Sequence, residues 1–211
     1  MDFHEWEPIY ELIIKDFGYS REKDEEAARL LHSILGKRAA EDNILESRIN
    51  GKRVIICGAS ERLENEFVKI LSENRDAVMA ADEATSIVIK HTLPDIIVTD
   101  LDGNVEEQIK ANEMGSIAVI HAHGDNIRAI KKYAPLFTGK VILTTQSEPF
   151  DNVYNFGGFT DGDRAFFMAK HFGAESISLA GFDFENPREK EGKDIEIKRR
   201  KLRWAKRLIE M

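Results

Sequence analysis

A single cysteine, Cys57, in a chain of 211 residues means that no internal disulfide can form, so packing alone has to hold the fold together. No apolar stretch approaches the ~20 residues needed to span a bilayer, which excludes a transmembrane reading. Nor does an early segment join a basic flank to an apolar run ending in small residues, which makes a cytoplasmic location the expectation. The five prolines and fourteen glycines are scattered. Without a linker, repeat or low-complexity tract to divide the chain, one main domain is expected. Positive charge is also in short supply: the formal net charge is −8, and residues 1 to 187 alone carry −13. Such a body is not expected to bind nucleic acid. What is present, 42% hydrophobic and 32% charged residues, suits a globular αβ protein long enough to need no structural metal.

The charge is uneven. Residues 188 to 211 hold 10 Lys/Arg against 5 Asp/Glu. The favoured reading of that tail is a solvated helix face; the sharper one is a cationic flap over an anionic ligand such as a nucleotide.

Residues 1–50 carry only helical signals. Ile9, Ile13 and Phe17 recur at spacing four, Gly18 ends the pattern, and Ser20 can cap a second helix with Ala27, Leu30, Leu31, Ile34 and Leu35 on one face. This segment is expected to pack on the main domain as structural support. An apolar stripe of this kind serves equally to cover a sheet or to form a homodimer, and the sequence leaves both open.

Residues 51–211 change rhythm to short apolar runs alternating with helical stretches, the pattern of βα units around a mostly parallel sheet. Strands are expected at 54–57, 77–80, 96–99, 117–121, 141–145 and 176–179. Helices are expected around 63–71, 105–114, 127–133, 163–171 and 195–209. Right-handed crossovers make this a doubly wound, three-layer α/β sandwich.

In such a sheet, ligands bind outside the carboxyl ends of the strands. The residues found there are acidic. Asp100-Leu101-Asp102-Gly103-Asn104 follows the third run, His121-Ala122-His123-Gly124-Asp125-Asn126 the fourth, and Gly157-Gly158-Phe159-Thr160-Asp161-Gly162-Asp163-Arg164 lies beyond the fifth. Asp-x-Asp-Gly alone is a common turn, and an acid opening a helix is often a cap. Five aspartates (100, 102, 125, 161 and 163) converging on one rim repel each other unless cations neutralise them. Hard oxygen donors imply Mg²⁺, whose octahedral shell takes one or two carboxylates plus water and phosphate oxygens.

His121 and His123 share a face of an extended segment, yet the lack of cysteine and the carboxylate company argue against structural zinc. They are read as polar neighbours, one touching substrate or orienting Asp125. The turn Gly58-Ala59-Ser60 meets neither standard nucleotide-binding spacing. Its glycine and following helix still make it a candidate cradle for phosphate. Arg164 is placed to pair with a phosphate or with the aspartates beside it.

In order along the chain, VIICGAS, DIIVTDLDG, HAHGDN, GGFTDGDRA and SLAGFDF resemble the archaeal 6-hydroxymethyl-7,8-dihydropterin pyrophosphokinase family, itself related to the catalytic domain of thiamin pyrophosphokinases. The resemblance implies a Rossmann-like three-layer sheet of the thiamin-pyrophosphokinase catalytic type with an N-terminal helical segment. It implies transfer of diphosphate from ATP to the hydroxymethyl group of a reduced pterin, yielding AMP, in tetrahydromethanopterin- or folate-type cofactor synthesis. The family's Asp-x-Asp maps onto Asp100 and Asp102 as Mg²⁺ ligands with Asp125. Asp161 and Asp163 become further metal or cofactor-binding residues, and Arg128, where the family has lysine, joins Arg164 on the phosphates. His123 or a carboxylate would accept the hydroxyl proton. Phe159 and Asp183 would meet the pterin. The β-rich second domain of thiamin pyrophosphokinases has no room here, which argues against thiamin.

Two other readings compete. IIVTDLDGN also resembles the nucleophile strand of haloacid-dehalogenase-type phosphatases, with Asp100 phosphorylated and Asp102 as acid/base, although there the motif usually opens the core and here two strand–helix units precede it. A non-enzymatic nucleotide sensor could use the same fold.

Overall fold

The computed structural model describes residues 1–72, 76–187 and 194–211. Its centre is one sheet of β1 (Arg53–Cys57), β2 (Ala77–Ala81), β3 (Ile96–Thr99), β4 (Ile117–Ala122), β5 (Val141–Thr145), β6 (Val153–Tyr154) and β7 (Ser176–Ala180). All neighbours run parallel, in the order β6-β5-β4-β3-β2-β1-β7. Strands β2 to β5 are buried along their whole length, which is why they read as unbroken apolar runs rather than alternating ones. The six expected strands are all present. The seventh, β6, is two residues long at the sheet edge, too short to leave a periodic signal.

Side-chain alternation divides the core. Val54, Ile56, Met79, Val98 and Val119 meet α8 (Asp161–His171), together with α3 (Asn43–Ile49), on one face. The opposite face carries α4 (Leu63–Leu71) and the short α5 (Thr85–Val88) against Ile55, Cys57, Val78 and Ala80. Further along that face, Ala118, Ile120, Val141 and Leu143 are covered by α2 (Arg21–Leu35) and α7 (Ile127–Tyr133). Helix α6 (Val105–Glu113) links β3 to β4. The stripe Ala27, Leu31 and Leu35 of α2 is thus a cover for the sheet. Gly18, at φ 69°, closes α1 (Phe3–Phe17), and Ser20 accepts the Lys23 amide to cap α2, as the sequence predicts.

Helix α9 (Ile195–Ile209) lies beside α1. Leu208 shares a buried cluster with Trp6, Tyr10, Ile13, Phe159 and Phe167, and Asp16 of α1 accepts from both the Trp204 indole (2.9 Å) and Arg200 (3.0 Å). The sequence reading lacked α3 and α5 and started α8 two residues late. Among the described residues, no helix is long and apolar enough to cross a membrane.

The chain steps across the sheet from β1 to β6, then returns to place β7 on the other side of β1. That reversal opens a crevice above the carboxyl ends of β1 and β7, the position where such sheets bind ligands.

Candidate functional site

A cleft of about 1090 Å³ occupies this crevice. Its floor is set by the ends of β2 and β3. Asp82 follows β2 directly with φ 43°, and Leu101, between Asp100 and Asp102, has φ 67°. Both are left-handed conformations that side chains with a Cβ resist, so surrounding contacts must hold them. Thr99 does much of this: its hydroxyl donates to Asp82 Oδ1 (2.7 Å) and accepts the Leu101 amide (2.9 Å). Gln108 of α6 donates to the same Asp82 oxygen at 2.9 Å. Gly103 is required by proximity, because a Cβ there would lie 2.3 Å from Asp82 Oδ2.

Asp161, at the start of α8, completes the floor. One carboxylate oxygen from each of Asp82, Asp100 and Asp161 falls within 4.8 Å of the others, a spacing suited to a single cation. Oδ1 of Asp100 is buried and has no hydrogen-bond partner. Three hard oxygen donors, one of them otherwise unsatisfied, fit a divalent metal ion. The electrostatics agree. Burial, then the charges of Asp100 and Asp102, push Asp82 up to about 7. Burial and the Asp100 charge raise Asp161 as well, with Arg164 opposing. Burial also acts upward on Asp100, but the hydrogen bond and charge of His123, followed by Arg164 and Lys201, outweigh it and hold that carboxyl down. One acid is therefore ionised while its two neighbours are discouraged from joining it.

His123 Nε2 lies 3.3 Å from Asp100 Oδ2, and its Nδ1 accepts the Asp125 amide at 3.3 Å. Both ring nitrogens are thus engaged within the site, and the ring orients Asp100. Asn126 ties the two loops together by donating to the carbonyls of Asp100 (2.8 Å) and His121 (2.7 Å). His121 itself is buried behind the cleft against Thr144 (3.1 Å), kept neutral by burial and by the nearby Arg164 and His123 charges.

The other expected residues divide. Asp102 and Asp125 are exposed on the cleft wall, outside the three-acid cluster. Asp163 is fully buried and faces its own helix end, accepting the amides of Phe159 (2.6 Å) and Thr160 (2.8 Å) and the Thr160 hydroxyl; it is a cap, and no oxygen of it reaches the cleft. Arg128 is exposed on α7 and does not line the cleft. Arg164 does, but Nη1 is committed to Asp161 (3.0 Å) and Nη2 to Gln146 (3.3 Å). Gly58, Ala59 and Ser60 line the opposite wall. The amides of Gly58 and Ser60 bond the carbonyls of Ala180 (2.8 Å) and Gly181 (3.0 Å), so this turn splices β1 to β7 and keeps neither amide for phosphate. Phe159 and Asp183 both face the cleft, and Phe182 packs so closely on Gly162 that a Cβ there would lie 2.8 Å from its ring.

Three contributors escaped the sequence reading. Asp82 sits where the strand-end rule points, directly after β2, with no glycine-rich loop to mark it. Gln146, just beyond β5, is a second case. Asp24 is buried in α2, on the apolar face that continues through Ala27, Ala28 and Leu31, and that misplaced charge was the available signal. It accepts from Tyr10 (2.7 Å), Gln146 Nε2 (2.8 Å) and the Gly124 amide (2.7 Å). The N-terminal helices thereby steady Gln146, which holds Arg164, which holds Asp161. The basic tail, favoured as a solvated face, instead brings Lys198 and Lys201 of α9 to the cleft wall.

Residues 30–189 match the family model described as 6-hydroxymethylpterin diphosphokinase MptE-like. Among curated proteins, the 6-hydroxymethyl-7,8-dihydropterin pyrophosphokinase of Methanocaldococcus jannaschii is 41% identical, covering 99% of this chain and 95% of its own. Proteins of the same name from Pyrococcus furiosus and Methanothermobacter thermautotrophicus are 40% and 38% identical, each covering 100% of this chain and 94% of their own.

Proposed function

The chain belongs to the MptE-like family of 6-hydroxymethylpterin diphosphokinases, and from that membership we propose that it transfers diphosphate from ATP to 6-hydroxymethyl-7,8-dihydropterin with Mg²⁺. The observation that carries the metal-dependent part is the cluster Asp82, Asp100 and Asp161 with its unpartnered Asp100 oxygen at the foot of the cleft. In the reaction, the hydroxymethyl oxygen forms a bond to the β-phosphorus as the bond from that phosphorus to the AMP oxygen breaks. The hydroxyl proton passes to a carboxylate or water. When bound, Mg²⁺ supplies charge neutralisation on the phosphates.

The protein's own part is positioning and electrostatics. Thr99 and Gln108 fix Asp82, His123 fixes Asp100, and Arg164 fixes Asp161. Asp102 and Asp125 add negative potential at the rim, suited to a second, looser engagement of a metal–nucleotide complex. Phe159 and Phe182 give a flat acceptor an apolar wall, with Asp183 near enough to accept ring hydrogens. Both sequence-defined parts, 1–50 and 51–211, belong to this one catalytic unit, since Asp24 braces Gln146 from the helical part. Its place is the synthesis of a tetrahydromethanopterin- or folate-type cofactor, in the cytoplasm.

Chromatography of nucleotide and pterin products after incubation with Mg²⁺, ATP and the pterin alcohol tests this. AMP formed in step with a diphosphorylated pterin, and lost on chelation by EDTA, is the expected result. Release of inorganic phosphate from a phosphate ester without AMP would support the phosphatase reading instead.

A further inference from the structure

A polyphosphate needs cations on the side that faces away from the metal, and the arginines that the sequence offered do not supply them. Arg128 is outside the cleft. Arg164 is buried, with Nη1 on Asp161 of the acid cluster and Nη2 on Gln146, and only its Nε is left without a partner. Arg62 is drawn off by Asp183 (3.5 Å), Glu66 (3.6 Å) and the Phe182 carbonyl (2.8 Å). Lys201 on α9 is in a different position. Its Nζ lies 5.6 Å from the Phe159 ring centroid and 5.8 Å from that of Tyr19, and all three residues line the cleft. Among the described residues, no carboxylate is within ion-pair reach of it.

The helix that carries Lys201 is held from its other flank. Arg200 and Trp204 bind Asp16 of α1, while Ala205 and Leu208 are buried. Two aromatic faces and an anchored helix hold this ammonium in the cleft that the three crowded carboxylates also line, with no ion-pair partner among the described residues.

We propose that Lys201, over the Phe159 and Tyr19 rings, binds the phosphate chain of a nucleotide held at Asp82, Asp100 and Asp161, making α9 a wall of the phosphate site. This rests on the ATP-dependent reading above. The matched family segment ends at residue 189, so this contribution comes from outside it.

The test is calorimetric binding of Mg²⁺ with inorganic triphosphate, and separately with ATP, to wild type, Lys201→Met and Lys201→Arg. Removal of one charge-assisted contact should weaken triphosphate binding about tenfold or more, with Arg restoring most of it. The wild-type affinity should also fall with added salt more steeply than that of Lys201→Met. In turnover assays, KM for ATP should rise for Lys201→Met while KM for the pterin alcohol stays near wild type, at an unchanged melting temperature. Triphosphate binding by Lys201→Met equal to wild type overturns the inference alone, provided that wild type forms AMP. A wild type that neither binds triphosphate nor forms AMP overturns the functional reading and this inference together.

Discussion

Aspartates gather at both ends of the sheet, and the two groups live differently. At the amino ends, Asp76 accepts the Arg53 amide (3.1 Å), Nε (3.0 Å) and Nη2 (3.3 Å), and those bonds pull its carboxyl down to about 2. Asp95 accepts the Val78 amide (2.9 Å) and Arg48 (3.4 Å). At the carboxyl ends, Asp82, Asp100 and Asp161 face each other, two are pushed up, and one oxygen has no partner. Asp82 and Leu101 add left-handed backbone at the carboxyl rim. An acidic cluster therefore says little until partners are counted: satisfied acids hold strands in place, and crowded unsatisfied ones await a cation.

The largest expected effect separates the two ends directly. Asp100→Asn and Asp82→Asn should each lower diphosphate transfer about 100-fold or more, the scale of losing a group that stabilises developing charge. Because an amide at position 82 relieves the like-charge crowding, the melting temperature of Asp82→Asn in EDTA should stay level or rise, whereas Asp100→Asn, which gives up a carboxylate that His123 holds ionised, should melt lower. Asp95→Asn should leave turnover close to wild type. A folded Asp100→Asn protein with full activity would break the comparison, as would an inactive Asp95→Asn.

Next in size is Gly103→Ala. Its Cβ would meet Asp82 Oδ2 at 2.3 Å and Cγ at 2.8 Å, so the acid must move. Displacing one member of a positioned set should cost between about 10- and 100-fold in turnover, seen in steady-state rates at saturating Mg²⁺. A third acid sharpens the comparison from another direction. Asp24 lies near the cleft but has three partners, so it should behave as a structural acid. Asp24→Ala leaves the Tyr10 hydroxyl, the Gln146 amide and the Gly124 amide buried without acceptors, and about 3 kcal/mol of stability should be lost in urea unfolding. Turnover should fall less than for Asp100→Asn.

The same contrast explains what could be read from the sequence. The strands were legible because β2 to β5 are buried on both faces and spell unbroken apolar runs. Asp100, Asp102 and Asp161 were legible because glycine-rich loops mark them. Asp82 was not, since Asp82-Glu83-Ala84-Thr85 looks like the start of an acidic helix, which in part it is. Asp163 misled for the converse reason: its spacing from Asp161 mimics a ligand pair, while its oxygens are drawn to the amides of Phe159 and Thr160. Arg128 and Lys201 were exchanged in importance because a helix's direction in space, unlike its apolar stripe, leaves no local trace. Only the assembled sheet shows that α9 reaches the cleft and that Arg128 does not.

The smallest effect is a difference in pH slope. Asp76 has its folded value lowered to about 2 by Arg53, from about 4 in an unfolded chain. Its contribution to stability is thus fully present above about pH 4 and is lost as pH falls towards 2. Asp82 has its folded value raised to about 7, chiefly by burial and by Asp100. In metal-free protein its effect has the opposite sign: the folded state keeps a proton that the unfolded chain releases above about pH 4, so stability falls as pH rises from there towards 7. Urea midpoints measured in EDTA should accordingly show Asp76→Asn trailing wild type at neutral pH and converging with it in acid. Asp82→Asn should match wild type near pH 4 and exceed it near pH 7. Saturating Mg²⁺ should close that second gap and leave the first untouched, because only the carboxyl-end acids have a cation to gain.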